Sequence, residues 1–257
     1  MASRFSLGPK TDRVRGVRIP AILRRGTTYV NQIVTGLRPF SRSHFSQEGE
    51  DVVLQRIFSN QPEGFFVDVG AHHPFRFSNT YWAYRRGWSG INIDATPGSA
   101  RLFNRWRPRD QNLESCIGAE EQVIEYTVYS EPALNTYDSR RVDSLASTKY
   151  KPKGTVRLQT RRLDSLLGEA FIGKPDPVID FLSIDVEGAE MGVLKSNDWC
   201  RFKPRVIVIE VLGKTLSTVS GSAEYQFLTN LGYVPVSMLY HSVIFVFDEE
   251  LLAQHWS

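Results

Sequence analysis

Four acids in this 257-residue chain stand at or just past the ends of apolar runs: Asp68, Asp94, Asp185 and Glu210. If those runs are parallel strands, their carboxyl ends share one rim, and the acids gather around one cleft. A carboxylate there can accept hydrogen bonds from ribose hydroxyls or take up a proton. The first run, Phe65-Phe66-Val67-Asp68-Val69, leads into Gly70-Ala71-His72-His73-Pro74, where Gly70 lets backbone approach a ligand closely. Asp94 lies 24 residues beyond Gly70, near the roughly 20-residue spacing at which a second-strand acid meets a ribose in nucleotide-binding βαβ units. His72 and His73 follow the turn, where they either contact substrate as a base or shape the turn by local hydrogen bonds. His241 falls in the turn of a C-terminal hairpin, exposed or substrate-facing.

The elements that would carry these residues alternate. A helix begins at Ser46, read as its N-cap, with Glu50 and Asp51 in its first turn and Val52, Val53, Leu54, Ile57 and Phe58 as its buried stripe. After the central strand at 65–69, Ser78-Asn79-Thr80 caps a helix ending at Gly87, residues 91–94 form a second strand, 99–106 a helix and 111–117 a third strand. Residues 123–129 and 155–160 read as an antiparallel pair around a long polar loop, 130–154, which is either a lid or a surface excursion. A short helix at 163–170 precedes a strand at 178–184, a helix at 191–195, the β-branched strand 205–211, a helix at 223–231 and a hairpin at 233–237 and 242–247. The fold class is therefore α/β, with a mostly parallel sheet closed by an antiparallel hairpin. Tyr81, Trp82, Tyr84 and Trp88 read as core packing rather than a stacking platform.

Composition sets the limits. With 41% hydrophobic residues the chain can bury the core of one ordinary α/β domain, expected over 44–257. Residues 1–44 hold nine Lys/Arg against one acid, a net charge of +8, while 45–257 carry 22 bases and 27 acids, a net −5. An acidic domain is a poor partner for phosphate backbones, so no nucleic acid is expected. The basic segment 1–43, with a short amphipathic helix at 21–37, reads as a solvated arm, as an arm touching an anionic membrane or a biosynthetic complex, or as a transit peptide. No run approaches the roughly 18 uncharged apolar residues of a membrane span, and a cytoplasmic location, peripheral to the membrane if the arm binds there, is the expectation. Cys116 and Cys200 lack metal or disulfide spacing and both read as small buried side chains.

Taken in order, Phe45-Ser46-Gln47-Glu48-Gly49-Glu50-Asp51, Phe66-Val67-Asp68-Val69-Gly70-Ala71, Gly87-Trp88-Ser89-Gly90 before Ile93-Asp94, and Ser183-Ile184-Asp185-Val186-Glu187-Gly188-Ala189-Glu190 resemble the FkbM family of S-adenosylmethionine-dependent methyltransferases. The similarity spans about residues 44–247. It implies a Rossmann-like class I methyltransferase fold, with S-adenosylmethionine held by Gln47, Asp68, Gly70, Ala71, Asn79, Asp94, Ala95 and Asp185. His72-His73 stands where the commoner glycine-rich turn has a further glycine.

The resemblance implies methyl transfer to a hydroxyl of a sugar, glycan, glycolipid or related small metabolite. Such a displacement needs alignment and a base for the hydroxyl proton. Asp185 or Glu187 is the candidate base. Alternatively the two, with Glu210, hold a divalent metal; two carboxylates one residue apart are an incomplete ligand set without a third group. The rival readings are a nicotinamide-dependent oxidoreductase, which lacks the G-x-G-x-x-G that serves a pyrophosphate, and a noncatalytic cofactor-binding partner in a glycan-assembly complex.

Overall fold

The structure is a computed structural model and describes residues 44–257 apart from Lys174, Pro177 and Ser257. The basic arm at 1–43 and the helix expected at 21–37 lie outside the described residues. In chain order the described elements begin with α1 (Glu50–Ile57), β1 (Phe65–Val69), α2 (Tyr81–Arg85), β2 (Ser89–Asp94), α3 (Ser99–Trp106), β3 (Gln111–Glu114), β4 (Cys116–Ile117) and β5 (Val123–Tyr129). They continue with α4 (Ser139–Ala146), β6 (Pro152–Arg161), α5 (Leu163–Ala170), β7 (Phe181–Ile184), α6 (Glu190–Lys195), β8 (Val206–Glu210), α7 (Ala223–Asn230), β9 (Val234–Met238), β10 (Ser242–Val246) and α8 (Glu249–Trp256).

Seven strands form the main sheet in the order β3-β2-β1-β7-β8-β10-β9. The first five run parallel, and β10 pairs antiparallel with both β8 and β9. This is the Rossmann-like α/β sheet with an antiparallel C-terminal hairpin. Period-2 alternation splits the core into two layers. Val67, Val69, Ile91, Ile93, Leu182, Ile184, Ile207 and Ile209 join one cluster, under α5 and α7. Phe66, Phe181, Val206 and Val208 face the other way, against Leu54, Ile57, Trp82 and Trp88. The aromatics at 82 and 88 pack there, Trp82 stacked on Phe181 at 6.1 Å.

The alternation corrects one inference. Asp68 shares the face of Phe66, so its carboxylate points under α2 rather than into the rim: it accepts from Thr80 Oγ1 at 2.8 Å and is 3% exposed. Thr80 in turn accepts from Arg107 Nη1 at 2.9 Å. Arg107 is wholly buried; its Nε donates to Asp110 at 2.8 Å, and its guanidinium lies 5.2 Å from the ring centroids of Phe66 and Tyr84. Asp110 also accepts from the Gly90 amide and Asn92, which ties α3, β2 and the end of β1 into one polar knot.

Local readings differ in detail. Helix α1 starts at Glu50, with Gly49 as N-cap at φ 95°; Ser46 Oγ instead accepts from the amides of Gly49 and Asp51 and donates to Asp51 Oδ1 at 2.7 Å. Val52 and Val53 are half-buried, because α1 turns Leu54 and Ile57 inward. The strand expected at 111–117 breaks at Ser115: β3 stays in the main sheet, and β4 leaves to pair with β6. β5 and β6 complete a second, three-stranded sheet. The stretch between them carries a 3-10 turn at Pro132–Leu134 and all of α4. The strand expected from 178 begins at Phe181, since Val178 is exposed, and the chain adds a terminal helix, α8, beyond the expected hairpin. Cys116 is buried, whereas Cys200 is exposed, in a turn beyond α6. Among the described residues no helix is long and apolar enough to cross a membrane.

Removing one partner of a buried ion pair leaves a charge with neither water nor counter-ion. Arg107→Ala is therefore expected to destabilise the domain by roughly 3–5 kcal/mol in urea or thermal unfolding. A loss below about 1 kcal/mol would show that the knot is not structural.

Candidate active site

The rim is set by one close approach. Gly70, at φ 83°, closes β1, and its amide and that of Ala71 both donate to the Ile93 carbonyl, at 2.9 and 3.1 Å. Across the other edge, the Asp185 amide donates to the Val69 carbonyl at 3.0 Å. A Cβ on Gly70 would overlap the Asp185 carbonyl oxygen, so only glycine lets the two strand ends meet. Beside this junction opens a cleft of about 700 Å³, counting its mouth.

Asp94 marks one end. Its Oδ2 accepts the His72 amide and its Oδ1 the Thr96 amide, each at 2.8 Å. Burial raises its pKa, and these two donors pull against that rise. Ile93, Ile117, Cys116 and Tyr126 give this end flat, largely apolar walls. The Cys116 thiol is pushed up to about 12 by burial, which makes it a packing group rather than a nucleophile.

Asp185 and Glu187 mark the other end, and Gln47 also lines the cleft. One oxygen each of Asp185, Glu187 and Glu210 lies within 4.8 Å of the others. Burial first, then repulsion from Glu187, holds the Asp185 carboxyl well above the ordinary range; burial and Asp185 do the same to Glu210. Glu187 is raised by burial and restrained by Arg141 of α4, whose Nε donates to Oε2 at 2.8 Å. Glu190 at the start of α6 accepts the amides of Val186 and Gly188, and burial pushes it up to about 7. The Glu210 Oε2 atom is buried without a hydrogen-bond partner among the described residues.

Strain collects in the same place. His72, Phe77 and Glu187 are the described non-glycine residues with positive φ, at 53°, 57° and 53°, and all three line the cleft. Such residues persist only where their surroundings over-determine them. At Glu187 the surroundings are Arg141 on the side chain and Thr136 Oγ1 on the carbonyl, at 2.8 Å.

Of the residues singled out from the sequence, the structure brings Gln47, Gly70, His72, Asp94, Ala95, Asp185 and Glu187 to the cleft. Asp68, Ala71, His73 and Asn79 stand behind its lining. His73 Nδ1 accepts the amides of Phe75 and Arg76, a local turn, and Asn79 donates to Ser183 Oγ at 3.1 Å. Burial lowers the pKa of His73 and takes that of His72 down to about 4, so His72 is neutral at pH 7. Glu210 borders a neighbouring groove and reaches the cleft through the carboxylate cluster. Sequence reasoning missed Arg141, Asn135 and Thr136, which belong to the stretch read as loop. The Asp138-x-x-Arg141 spacing, in which Asp138 caps α4 through the Arg141 amide at 2.9 Å, was the available signal.

The turn after β1 is not followed by a helix until Tyr81, so no helix N-terminus is aimed at a pyrophosphate, as dinucleotide binding requires. The cleft thus gathers an acid at the end of β2, a glycine junction at the end of β1 and a carboxylate-rich stretch after β7. The family model described as "Methyltransferase FkbM domain" matches residues 68–235, and the chain belongs to that family. Its membership implies S-adenosylmethionine as methyl donor. No curated protein gives a significant match. Among solved structures, a precorrin-6y C5,15-methyltransferase from Geobacter metallireducens GS-15 is 14% identical, with 76% of this chain and 86% of that chain covered at a TM-score of 0.37. An O-methyltransferase from Bacillus cereus in complex with SAH is 13% identical, with 89% and 92% covered at 0.34.

A carboxyl whose folded pKa is raised binds its proton more tightly in the native state, so stability falls as pH climbs from the unfolded value to the folded one. For Glu190 the window runs from 4.5 to about 7, at up to about 1.4 kcal/mol per pH unit. Glu190→Gln keeps an acceptor for the Val186 and Gly188 amides and removes the titration. Relative to wild type it should gain stability as pH rises through that window, in paired melts from pH 4.5 to 8. A difference independent of pH would refute the raised value.

Proposed function

We propose that this chain is an S-adenosylmethionine-dependent O-methyltransferase acting on a hydroxyl of a sugar, glycan, glycolipid or related small metabolite. The carrying observation is the two-ended cleft, with Asp94 at one end and the Asp185–Glu187 carboxylates at the other. S-adenosylmethionine, when bound, supplies a methyl group made electrophilic by its sulfonium. Asp94 would accept the ribose hydroxyls, the bare Gly70 backbone would pass beside the ligand, and Asp185 with Glu187 would complement the positive sulfur. A hydroxyl acceptor must hand a proton to the protein side of the site as it is alkylated. The acidic composition of residues 45–257 argues for a small hydroxylated acceptor over a nucleic acid.

One observation favours a metal-assisted version of this reaction: the unpartnered Glu210 oxygen beside Asp185 and Glu187. A divalent cation held by the three would acidify the acceptor hydroxyl. Loss of turnover on exhaustive chelation, restored by Mg²⁺ or Mn²⁺, supports this version; full activity after chelation discards it.

Calorimetry should detect binding of S-adenosylmethionine and its demethylated product, weakened about 10-fold or more in Asp94→Asn. Asp185→Ala should fold, bind donor and lose at least roughly 100-fold in turnover with labelled methyl donor and a panel of hydroxylated acceptors. A wild-type protein that fails to bind the donor, or an unimpaired Asp185→Ala, would defeat the respective assignment.

A further inference from the structure

Glu48 and His241 are 193 residues apart and are joined twice. Glu48 Oε2 accepts the backbone amide of His241 at 2.7 Å, and Glu48 Oε1 lies 2.7 Å from His241 Nδ1. A carboxylate facing Nδ1 favours the tautomer with its hydrogen on Nδ1, and in that neutral tautomer the lone pair is on Nε2. Among the described residues Nε2 has no hydrogen-bond partner. The side chain is 34% exposed, along a groove of about 860 Å³ between residues 213–216 and 238–241.

The pair is tied to the cleft from both sides. Gln47, the residue before Glu48, lines the cleft itself. Ser242, the residue after His241, pairs with Glu210 across β10 and β8, and its Oγ donates to Glu50 at 2.9 Å. The Val211 amide, just past Glu210, donates to the His241 carbonyl at 2.6 Å. His241 also lies within electrostatic reach of Glu187.

The carboxylates at the cleft are poorly placed to act as the base. Glu187 is engaged by Arg141, and Asp185 and Glu210 crowd the same cluster, with one oxygen of each of the three acids within 4.8 Å of the others. The imidazole on Glu48 has a free lone pair and a route to solvent. Exposed Tyr240 and Leu216, at 78% and 79%, give the groove apolar surface against which the C–H face of a sugar ring can lie.

Resting on the methyltransferase reading, we propose that His241 is the general base for the acceptor hydroxyl, that Glu48 is its positioning residue, and that the acceptor lies in the groove between residues 213–216 and 238–241. The acceptor oxygen forms its bond to the methyl carbon as the carbon–sulfur bond breaks and its electron pair leaves on sulfur. The hydroxyl proton passes to His241 Nε2, and the resulting imidazolium keeps its Nδ1–H on Glu48 until the exposed ring releases the proton to solvent.

The test has two readouts. Long-range ¹H–¹⁵N spectra, with His241 assigned by its absence in His241→Gln, should report the Nδ1–H form in wild type and a shift toward Nε2–H in Glu48→Gln. Turnover of labelled S-adenosylmethionine with a panel of monosaccharides, sugar phosphates and glycolipids should fall roughly 100-fold or more in His241→Gln, with product affinity by calorimetry unchanged. Glu48→Gln should lower kcat rather than raise KM, and Glu48→Asp should recover part of it. An Nε2–H ring in wild type, turnover of His241→Gln within threefold of wild type, or loss of product binding in that variant overturns the proposal. If no acceptor in the panel is turned over, the tautomer alone decides. Failure of the wild type to bind the donor product falls instead on the methyltransferase reading.

Discussion

The geometry of the site depends on the meeting of Gly70 with the Asp185 carbonyl. Parallel neighbours normally keep about 4.8 Å between them and carry their side chains apart at the ends. Here β1 and β7 end in backbone turned toward backbone, and any side chain at position 70 would have to displace the peptide that carries Asp185. The cost is a left-handed residue, which glycine meets without strain. The gain is that the Asp94 end and the Asp185 end are held by the two edges of a single strand.

A second constraint follows from the first. Bringing strand ends together brings their acids together, and Asp185, Glu187, Glu190 and Glu210 crowd one region with Arg141 as the cation bound to the cluster. Coulombic repulsion at such separations in a poorly solvated site exceeds what water would leave. The region relieves it by holding protons, by donating the amides of Val186 and Gly188 to Glu190, and by placing Arg141 against Glu187. The result is a crowded acidic patch whose carboxyls favour their protonated forms more than exposed acids do.

Much of this was legible in the sequence where a single local rule decides. The run Val206-Ile207-Val208-Ile209 could hardly be anything but a buried strand, and the interval from Gly70 to Asp94 fixed which acid would sit at the second strand's mouth. A position near a strand end points Asp68 to the rim, but the two-residue alternation puts it on the face of Phe66. Arg107 lies in an Arg-Trp-Arg-Pro-Arg run that reads as solvated surface; only the convergence of Phe66, Tyr84, Phe103 and Asp110 makes it interior. Position 48 to position 241 and 141 to 187 are contacts between distant segments, and no periodicity carries that information.

Within the smaller sheet, β6 joins β4 through two residue pairs, Cys116 with Thr160 and Ile117 with Arg161. Everything from β5 to β6, including α4, is an excursion over the cleft whose ends return to neighbouring points. The central strands therefore need not change when this excursion does, as long as Thr136 and Arg141 keep their hold on Glu187. The excursion also supplies Tyr126, Pro132, Ala133, Asn135 and Tyr137 to the cleft lining, so a change of sequence there reshapes the walls of the cleft while the strand ends beneath it keep their register.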